Sequence, residues 1–597
     1  MIEPRLYRAA FLPALLALIV AAFSLEDRPA PLPQALAADV LFQGKTATMA
    51  AKEIAKTYPD RRPGSVGDRA EGRQLARTFA AHGFTTVIDH FSSGSGTPLD
   101  NVIGRRAGAS RHQIVVVAPR DAGSIPDATG SASDTAALAE IARVLQGTPS
   151  RKTITLASVD GSTLGELGIH RLLDKLPDRR LIETVIVLSN LGAPGPHVPP
   201  LQIWSNDSQR VGVGLERTAS LSESEEFGRE PHTAGAPAQM IRLAFPLGVG
   251  AQGPLLAAGE DTVRFSGSGE LPAAKDKSGV DSISPDRLGS LGRAALRTVF
   301  AVDQNVGPPA RGPTSYVTVA GNLLPQWAVA LVAMSLILPA LVASIDGFAR
   351  ARRRHEPVGR YARWVLAGVL ALVTGLVIAK LMVVVGIVAD PPESPVAPDV
   401  RPVHGGDVAV MAVLAAVVAA AWMLGRRIAV GGARRRLDLA APGAGCAVAL
   451  AVSCVTLAVW FINPFAALML VPALHLWLLA AMARVPDRGP VAPALVVVGL
   501  LPLAVVVLYY MSKLSLGPLG GLWYAFLLVT SGTVGIAAAL FACAFIGVFG
   551  CLVAVLVARA RRPPVAKVEE PKHPAVFGPG GYAGPGALGG TESALRR

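Results

Sequence analysis

The sequence has few cysteines and few charged residues for its length. All four cysteines lie within apolar segments, so the polar region at 26–320 has no internal disulfide even if it faces an oxidising compartment. Charged residues make up 17% of the 597 residues, against about 25% in an average soluble chain. Hydrophobic residues make up 51% and concentrate between 323 and 559. This composition excludes an ordinary soluble globule and favours an integral membrane protein.

The net charge of +13 comes largely from arginine clusters beside apolar runs, at 350–354, 426–436 and 559–562. Clusters in such places set the orientation of a membrane protein, because basic loops stay on the cytoplasmic side. Binding of nucleic acid would need a basic face with aromatic residues on a folded domain, and the sequence shows none. The predicted partners are therefore the lipid bilayer and membrane or cell-envelope proteins, and no nucleic acid.

Apolar segments of spanning length define the membrane region. Residues 1–38 contain an apolar run at 9–25 behind two arginines, which predicts an uncleaved anchor or, alternatively, a signal peptide cut near 35–37. Residues 323–562 contain about seven further spans, and the long last segment at 519–558 predicts a short re-entrant piece ahead of a full helix.

The arginine clusters place the N-terminus and the C-terminal tail in the cytoplasm and residues 26–320 outside it. The Ala/Gly/Arg/Val-rich composition suggests the plasma membrane of a bacterium. Two polar residues stand out within the spans. Lys380 is expected to extend its amine toward the end of its span. For His475 we expect a neutral imidazole bonded to a neighbouring helix, with a functional role as the alternative.

Residues 39–304 are predicted to form an extracytoplasmic α/β domain, and residues 305–322 are predicted to form a linker. The β-branched runs at 114–118 and 153–158 flank a segment with apolar residues at helical spacing. This order of strand, helix and strand is typical of a buried parallel sheet. Further strands are predicted at 85–89, 101–105 and 183–188, and helices at 47–58, 67–81 and 282–299. The predicted fold is a mixed, mainly parallel central sheet.

Several motifs in this domain occur in a characteristic order: Arg62-Pro63-Gly64-Ser65, then Asn101-Val102-Ile103-Gly104, then the strand–helix–strand unit and the closing helix. In this order and spacing the domain resembles the zinc aminopeptidase and glutamate carboxypeptidase family, peptidase family M twenty-eight. With its anchor and multi-span region, the chain also resembles in layout the GPI-anchor attachment subunit of the GPI transamidase. The first resemblance implies a zinc-aminopeptidase-like fold, and the second implies a non-catalytic role.

The family's metal ligands and general base do not survive in this sequence. Paired zinc ions need histidine and carboxylate ligands, and a Glu must take the proton of the bound water. The resemblance places two of these functions on Pro119 and Gly130, which have no side-chain donor. It places the others on poor replacements for histidine and carboxylate: Ser162, Thr163, Asn190 (or Gly192) and Gln252. Asp121, which would orient the first histidine, remains without it. The resemblance therefore implies no catalytic residue and no cofactor, with bound zinc as the alternative.

Other polar residues are predicted near the same edge of the sheet, and they form a candidate binding crevice: Asp121, Asp127, Ser131, Asp134, Asp160 and Glu166. A structural role is the alternative. In that interpretation Ser131, Ser133 and Asp134 cap the following helix, and Glu166 forms a surface pair with His170 one helical turn later.

The resulting functional hypothesis is a non-catalytic, peptidase-like membrane protein that acts as a scaffold or binds a substrate or partner at the cell envelope. An active membrane-anchored metallo-aminopeptidase is the first alternative. The second alternative is a transporter or lipid-handling protein with an accessory exported domain. Metal content separates the first two hypotheses, and a continuous polar path among the spans would favour the third.

The tail at 563–597 is rich in Pro and Gly and has no apolar periodicity, so it predicts a disordered cytoplasmic segment. Truncation after Arg562 should leave expression and the melting temperature of the purified protein unchanged. A large loss of folded protein would mean that the tail packs on the bundle.

Overall fold

The structure is a computed structural model, and it describes residues 3–34, 41–429, 437–482 and 489–562. The predicted cleavage site at 35–37, the arginines at 434–436 and the tail at 563–597 lie outside the described residues. The described chain contains an α/β domain and a set of long apolar helices.

Six strands form the central sheet. They are β1 (Thr85–Ser92), β2 (Pro98–Arg106), β3 (Ser110–Pro119), β4 (Lys152–Val159), β5 (Ile182–Ser189) and β6 (Thr262–Ser266). The order across the sheet is β1-β2-β4-β3-β5-β6. β3 pairs in parallel with β4 and β5, and β5 with β6, whereas β1 and β2 are antiparallel. The prediction of a mixed, mainly parallel sheet is confirmed.

Every residue of β4 and β5 is buried, which is why both read as continuous apolar and β-branched runs. Helices cover both faces of the sheet, and one face carries the larger hydrophobic core. The helices that precede, cross and follow the sheet are α3 (Gly44–Thr57), α4 (Val66–Ala81), α5 (Ser133–Leu145), α6 (Leu167–Lys175), α7 (Val213–Phe227), α8 (Ala236–Ala244), α9 (Gln252–Ala257) and α10 (Pro285–Gln304).

The sequence did not predict β6, α7 or α8. The segment predicted as a linker at 305–322 contains a strand, β7 (Tyr316–Val319), which forms a hairpin with β8 (Asn322–Pro325). Tyr316 is fully buried, and its hydroxyl donates a hydrogen bond to Glu216 over 2.6 Å. This part of the chain is therefore packed against the α/β domain and does not separate it from the spans.

Among the residues that the structure describes, eight apolar helices have the length and composition to cross a membrane. The first comprises α1 (Pro4–Ala9) and α2 (Leu12–Phe23). The others are α11 (Gln326–Arg353), α12 (Val358–Val384), α13 (Gly405–Ala429), α14 (Pro442–Ile462), α15 (Pro464–Met482), α16 (Val491–Lys513) and α18 (Ile536–Ala560). A shorter apolar helix, α17 (Pro518–Ser531), precedes α18, as the length of that segment predicted.

The two polar residues predicted within the spans have hydrogen-bond partners on other helices. His475 lies 2.7 Å from the Tyr7 hydroxyl through Nδ1 and 2.8 Å from the Leu336 carbonyl through Nε2. This arrangement suits a neutral imidazole that donates from Nε2. Lys380 donates from Nζ to the carbonyl of Thr530 at the end of α17 over 2.7 Å.

The α/β domain contacts the bundle at the ends of α14, α15 and α16. The Asn463 amide donates to the carbonyl of Leu243 over 2.8 Å, and Arg242 Nε donates to the Tyr509 hydroxyl over 3.0 Å. At the opposite end of the bundle, the Tyr361 hydroxyl donates to the carbonyl of Asp438 over 3.0 Å. The helix ends thus divide into one side that holds the domain and another that carries the arginine clusters.

This division generates a prediction about orientation. In a background without the four native cysteines, a membrane-impermeant maleimide applied to cells should label Ser208→Cys and Pro402→Cys and spare Gly359→Cys. Pro402 and Gly359 are exposed and Ser208 is partly exposed, and a side chain at 359 meets open space. If Gly359→Cys were labelled and the other two variants were protected, the orientation in the membrane would be the opposite of the predicted one.

Candidate functional site

A cavity of about 120 Å³ lies at the carboxyl ends of β3, β4 and β5. This is the edge at which parallel sheets usually place their ligands. Most of the predicted crevice residues line it, together with four of the predicted degenerate ligand positions. The lining residues that the sequence predicted are Asp121, Asp127, Ser131, Asp134, Glu166, Pro119, Ser162, Thr163 and Asn190. The structure therefore brings these residues together as expected.

Asp121 joins the ends of two neighbouring strands. Its carboxylate accepts hydrogen bonds from the backbone N–H of Ser162 over 2.9 Å and of Thr163 over 3.0 Å, and from the Thr163 hydroxyl over 2.9 Å. Thus the two positions expected to carry the Glu pair donate their backbone amides to Asp121. Three donors occupy lone pairs of this carboxylate that a ligand would otherwise use.

Asp134 has the same kind of role on the other side of β3. It accepts from the backbone N–H of Asn190 over 2.7 Å and of Leu191 over 2.9 Å, at the end of β5. Its predicted role as a helix cap is wrong, because its side chain spans to another strand. The Ser133 hydroxyl donates to the carbonyl of Ala128 over 2.7 Å, so it does not cap the helix through its side chain either.

Asp127 provides the local cap that the sequence assigned to its neighbours. Its carboxylate accepts from the backbone N–H of Ser131 over 3.1 Å, which closes the turn before α5. A Cβ at Gly130 would lie 2.4 Å from Asp127 Oδ1. The Asp127 carboxylate therefore occupies the space that a side chain at position 130 would require.

Glu166 lies in the wall of the cavity, and the prediction that it forms a surface pair with His170 is wrong. It is 6% exposed, and its Oε2 has no hydrogen-bond partner among the residues that the structure describes. His170 instead bonds through Nε2 to the hydroxyl of Ser394 over 2.9 Å. The two side chains diverge because Glu166 has a left-handed backbone, with φ of 60°, immediately before α6.

Burial determines the protonation of the cavity wall. Desolvation raises the pKa of Glu166 to about 8, and the neighbouring Asp121 charge adds to this. Desolvation also raises the pKa of Asp134 to about 8, although the two backbone N–H donors act in the opposite direction. At neutral pH both carboxyl groups are therefore mainly protonated.

Asp160 and Arg120 lie behind the cavity rather than in its wall. Arg120 is fully buried and binds both oxygens of Asp68, over 3.0 and 2.9 Å, and its Nη2 lies 3.7 Å from Asp160 Oδ2. Asp160 also accepts from the backbone N–H of Asp100 over 3.1 Å. Sequence reasoning missed Arg120. A charged residue directly after a fully apolar strand was the available signal.

Gln252, at the predicted position of the last histidine, also lies outside the cavity wall. Its amide donates to the carbonyl of Val249 over 3.1 Å, and its oxygen accepts from Arg264 over 3.2 Å. Within the described parts of the chain, no group of three His, Cys, Asp or Glu side chains is arranged to hold a metal ion.

A segment from the membrane region completes the cavity. Residues 391–400, between α12 and α13, contribute Pro395, Val396, Ala397, Asp399 and Val400 to its wall. No local pattern predicts this contribution, because the other lining residues, at 119–275, lie more than a hundred residues earlier in the chain.

The α/β domain, with its mixed and mainly parallel sheet, is joined to a multi-helix apolar region. It is similar to a zinc aminopeptidase from Bacillus subtilis, with 15% identity over 45% of this chain and 98% of that chain and a TM-score of 0.37. A glutaminyl cyclase from Porphyromonas gingivalis gives 17% identity over 44% and 98%, with a TM-score of 0.36. A leucine aminopeptidase precursor from Bacteroides thetaiotaomicron gives 16% over 46% and 99%, with a TM-score of 0.35. No protein-family model and no curated protein matches the chain.

The raised pKa of Glu166 predicts a pH-dependent stability. Between its ordinary value of 4.5 and about 8, the unfolded chain loses this proton and the folded chain retains it. Stability should therefore fall as pH rises, by at most about 1.4 kcal/mol per pH unit for this one group. Glu166→Gln removes the titration and should raise the melting temperature more at pH 7.5 than at pH 5.5.

The exposed Glu225 offers a matched control. Glu225→Gln should change the melting temperature little and equally at both pH values. If Glu166→Gln changed the melting temperature equally at pH 5.5 and 7.5, that result would contradict the conclusion that Glu166 is buried in its protonated form.

Proposed function

We propose that this protein is a non-catalytic, aminopeptidase-like membrane protein that holds a substrate or partner at the cell envelope. The α/β domain keeps the crevice at the carboxyl ends of its strands. The positions where the resemblance puts the ligands of a pair of zinc ions are occupied by Pro119, Gly130, Ser162, Thr163, Asn190 and Gln252. The crevice thus serves for binding and the bundle for anchorage.

The observation that carries this proposal is the use made of the crevice carboxylates. Asp121 and Asp134 accept two backbone N–H bonds each, from residues at the ends of the neighbouring strands. Each such bond uses one of the about four lone-pair sites of the carboxylate, which leaves fewer of them for an ion. Pro119 and Gly130 have no donor atom to add, and Asp127 occupies the space beside Gly130.

The general base of a hydrolase is missing in the same region. Ser162 and Thr163 take the places where the resemblance puts a Glu pair, and neither side chain accepts a proton from water at neutral pH. Glu166 is the nearest acidic side chain beyond them in sequence, but burial raises its pKa to about 8. At neutral pH only the minor, ionised fraction of Glu166 can accept a proton.

The activity test uses the purified full-length protein. We expect well under one equivalent of zinc by elemental analysis and no hydrolysis of aminoacyl substrates. The melting temperature should be the same with and without a chelator, because no metal contributes to the free energy of unfolding. A zinc aminopeptidase purified and assayed in parallel is the positive control for both measurements.

Stoichiometric zinc with chelator-sensitive hydrolysis would overturn the proposal in favour of the active metallo-aminopeptidase. Solute or lipid movement by the purified protein in proteoliposomes would instead support the transporter or lipid-handling alternative.

A further inference from the structure

The segment at 391–400 forms one side of the crevice and is named here the lid segment. It belongs to the connection between α12 and α13, so it reaches the α/β domain from the membrane region. Ser394 is 3% exposed, and Val396 and Ala397 are each 6% exposed. A connection of about twenty residues between two spans would ordinarily be solvated. Its burial here reflects contact with two other parts of the chain.

The α/β domain provides one set of contacts. The Ser394 hydroxyl lies 2.9 Å from His170 Nε2 on α6. A Cβ built at Gly165, where φ is 99°, would lie 2.4 Å from the backbone N of Glu393. The lid segment therefore approaches the backbone at the start of α6 as closely as glycine permits.

The short helix α17 provides the other set. The Tyr524 hydroxyl donates to the carbonyl of Val396 over 2.9 Å, and Tyr524 is itself buried. The Thr533 hydroxyl, just beyond α17, donates to the carbonyl of Glu393 over 3.3 Å. Two backbone carbonyls of the lid segment are thus held by side chains of the membrane region. Lys380 fixes the end of α17 in turn through the Thr530 carbonyl.

The space within the crevice is small, with a volume of about 120 Å³. Binding sites for drug-sized molecules occupy about 300–1,000 Å³. A peptide or a partner side chain of substantial size therefore requires the lid segment to move.

We propose that the lid segment is a gate whose closed state is held by α17, so that opening of the crevice is coupled to the packing of α17 in the membrane bundle. The coupling follows from the shared contacts, because the segment cannot leave the crevice without breaking the Tyr524 and Thr533 hydrogen bonds. That the open crevice then receives a ligand rests on the proposed function. The gate itself rests only on the contacts above.

Thiol accessibility tests the gate without a ligand. Ala397 and Ala251 lie on the lid segment and on the α/β domain respectively, and both are buried and line the cavity. Each is replaced by cysteine singly in a background without the native cysteines. The purified protein is placed in lipid nanodiscs, where a maleimide reaches both membrane sides. We expect both thiols to react many-fold more slowly than Pro402→Cys, an exposed position on the same connection.

Tyr524→Phe removes the hydroxyl that holds the Val396 carbonyl. It should accelerate labelling of both Ala397→Cys and Ala251→Cys by about 2- to 12-fold, the range for the loss of one net hydrogen bond. Tyr361→Phe is the matched control, because it also removes a hydroxyl bond to a backbone carbonyl, 3.0 Å long, at the far end of the bundle. It should leave both rates unchanged.

Three results would overturn the gate. The first is labelling of Ala397→Cys as fast as Pro402→Cys in the parent protein. The second is equal acceleration by Tyr524→Phe and Tyr361→Phe. The third is acceleration at Ala397 with none at Ala251, which would mean that the segment frays without uncovering the crevice. Zinc-dependent hydrolysis would overturn the proposed function and leave these labelling results as they are.

Discussion

The contact between the α/β domain and the ends of the spans is the constraint on which the crevice depends, and Arg242 is at its centre. Arg242 is buried, binds Glu270 through Nη1 over 2.9 Å and donates to the Tyr509 hydroxyl over 3.0 Å. Its guanidinium also lies over the rings of Tyr509 and Tyr510, at 5.5 and 5.4 Å. Glu270 lines the cavity. One residue therefore connects the crevice wall to the membrane helix, and loss of it would leave a buried carboxylate without its partner.

The acidic residues at the strand ends hold the edge of the sheet that forms the crevice. Asp121 and Asp134 tie neighbouring strand ends together, and the buried pair of Arg120 with Asp68 supports them from behind. Leaving any of these groups buried without its partner would cost free energy, since desolvated charges and polar groups need compensation. The same residue types that serve catalysis in a metal site here serve the geometry of the sheet edge.

Sequence reasoning worked where burial imposes a simple pattern. β4 and β5 are buried on both faces, so their apolar runs identified them directly. It failed at β6, because Arg264 interrupts the apolar run in its middle. That arginine is tolerated only because the carbonyl of Val249 and the Gln252 oxygen accept its hydrogen bonds. It also failed at α7, where the buried residues include Ser222 and Glu223 and no apolar stripe marks the inner face.

The sequence by itself determined the division into an α/β domain and spanning helices, since both follow from the local distribution of apolar residues. It also determined that Pro119 and Gly130 have no polar side-chain atom, because no fold can supply an atom that a side chain lacks. Only the tertiary structure decided that Glu166 faces the cavity rather than solvent, and that residues 391–400 cover the crevice. Both depend on contacts between segments distant in the chain, and such contacts leave no local periodicity to read.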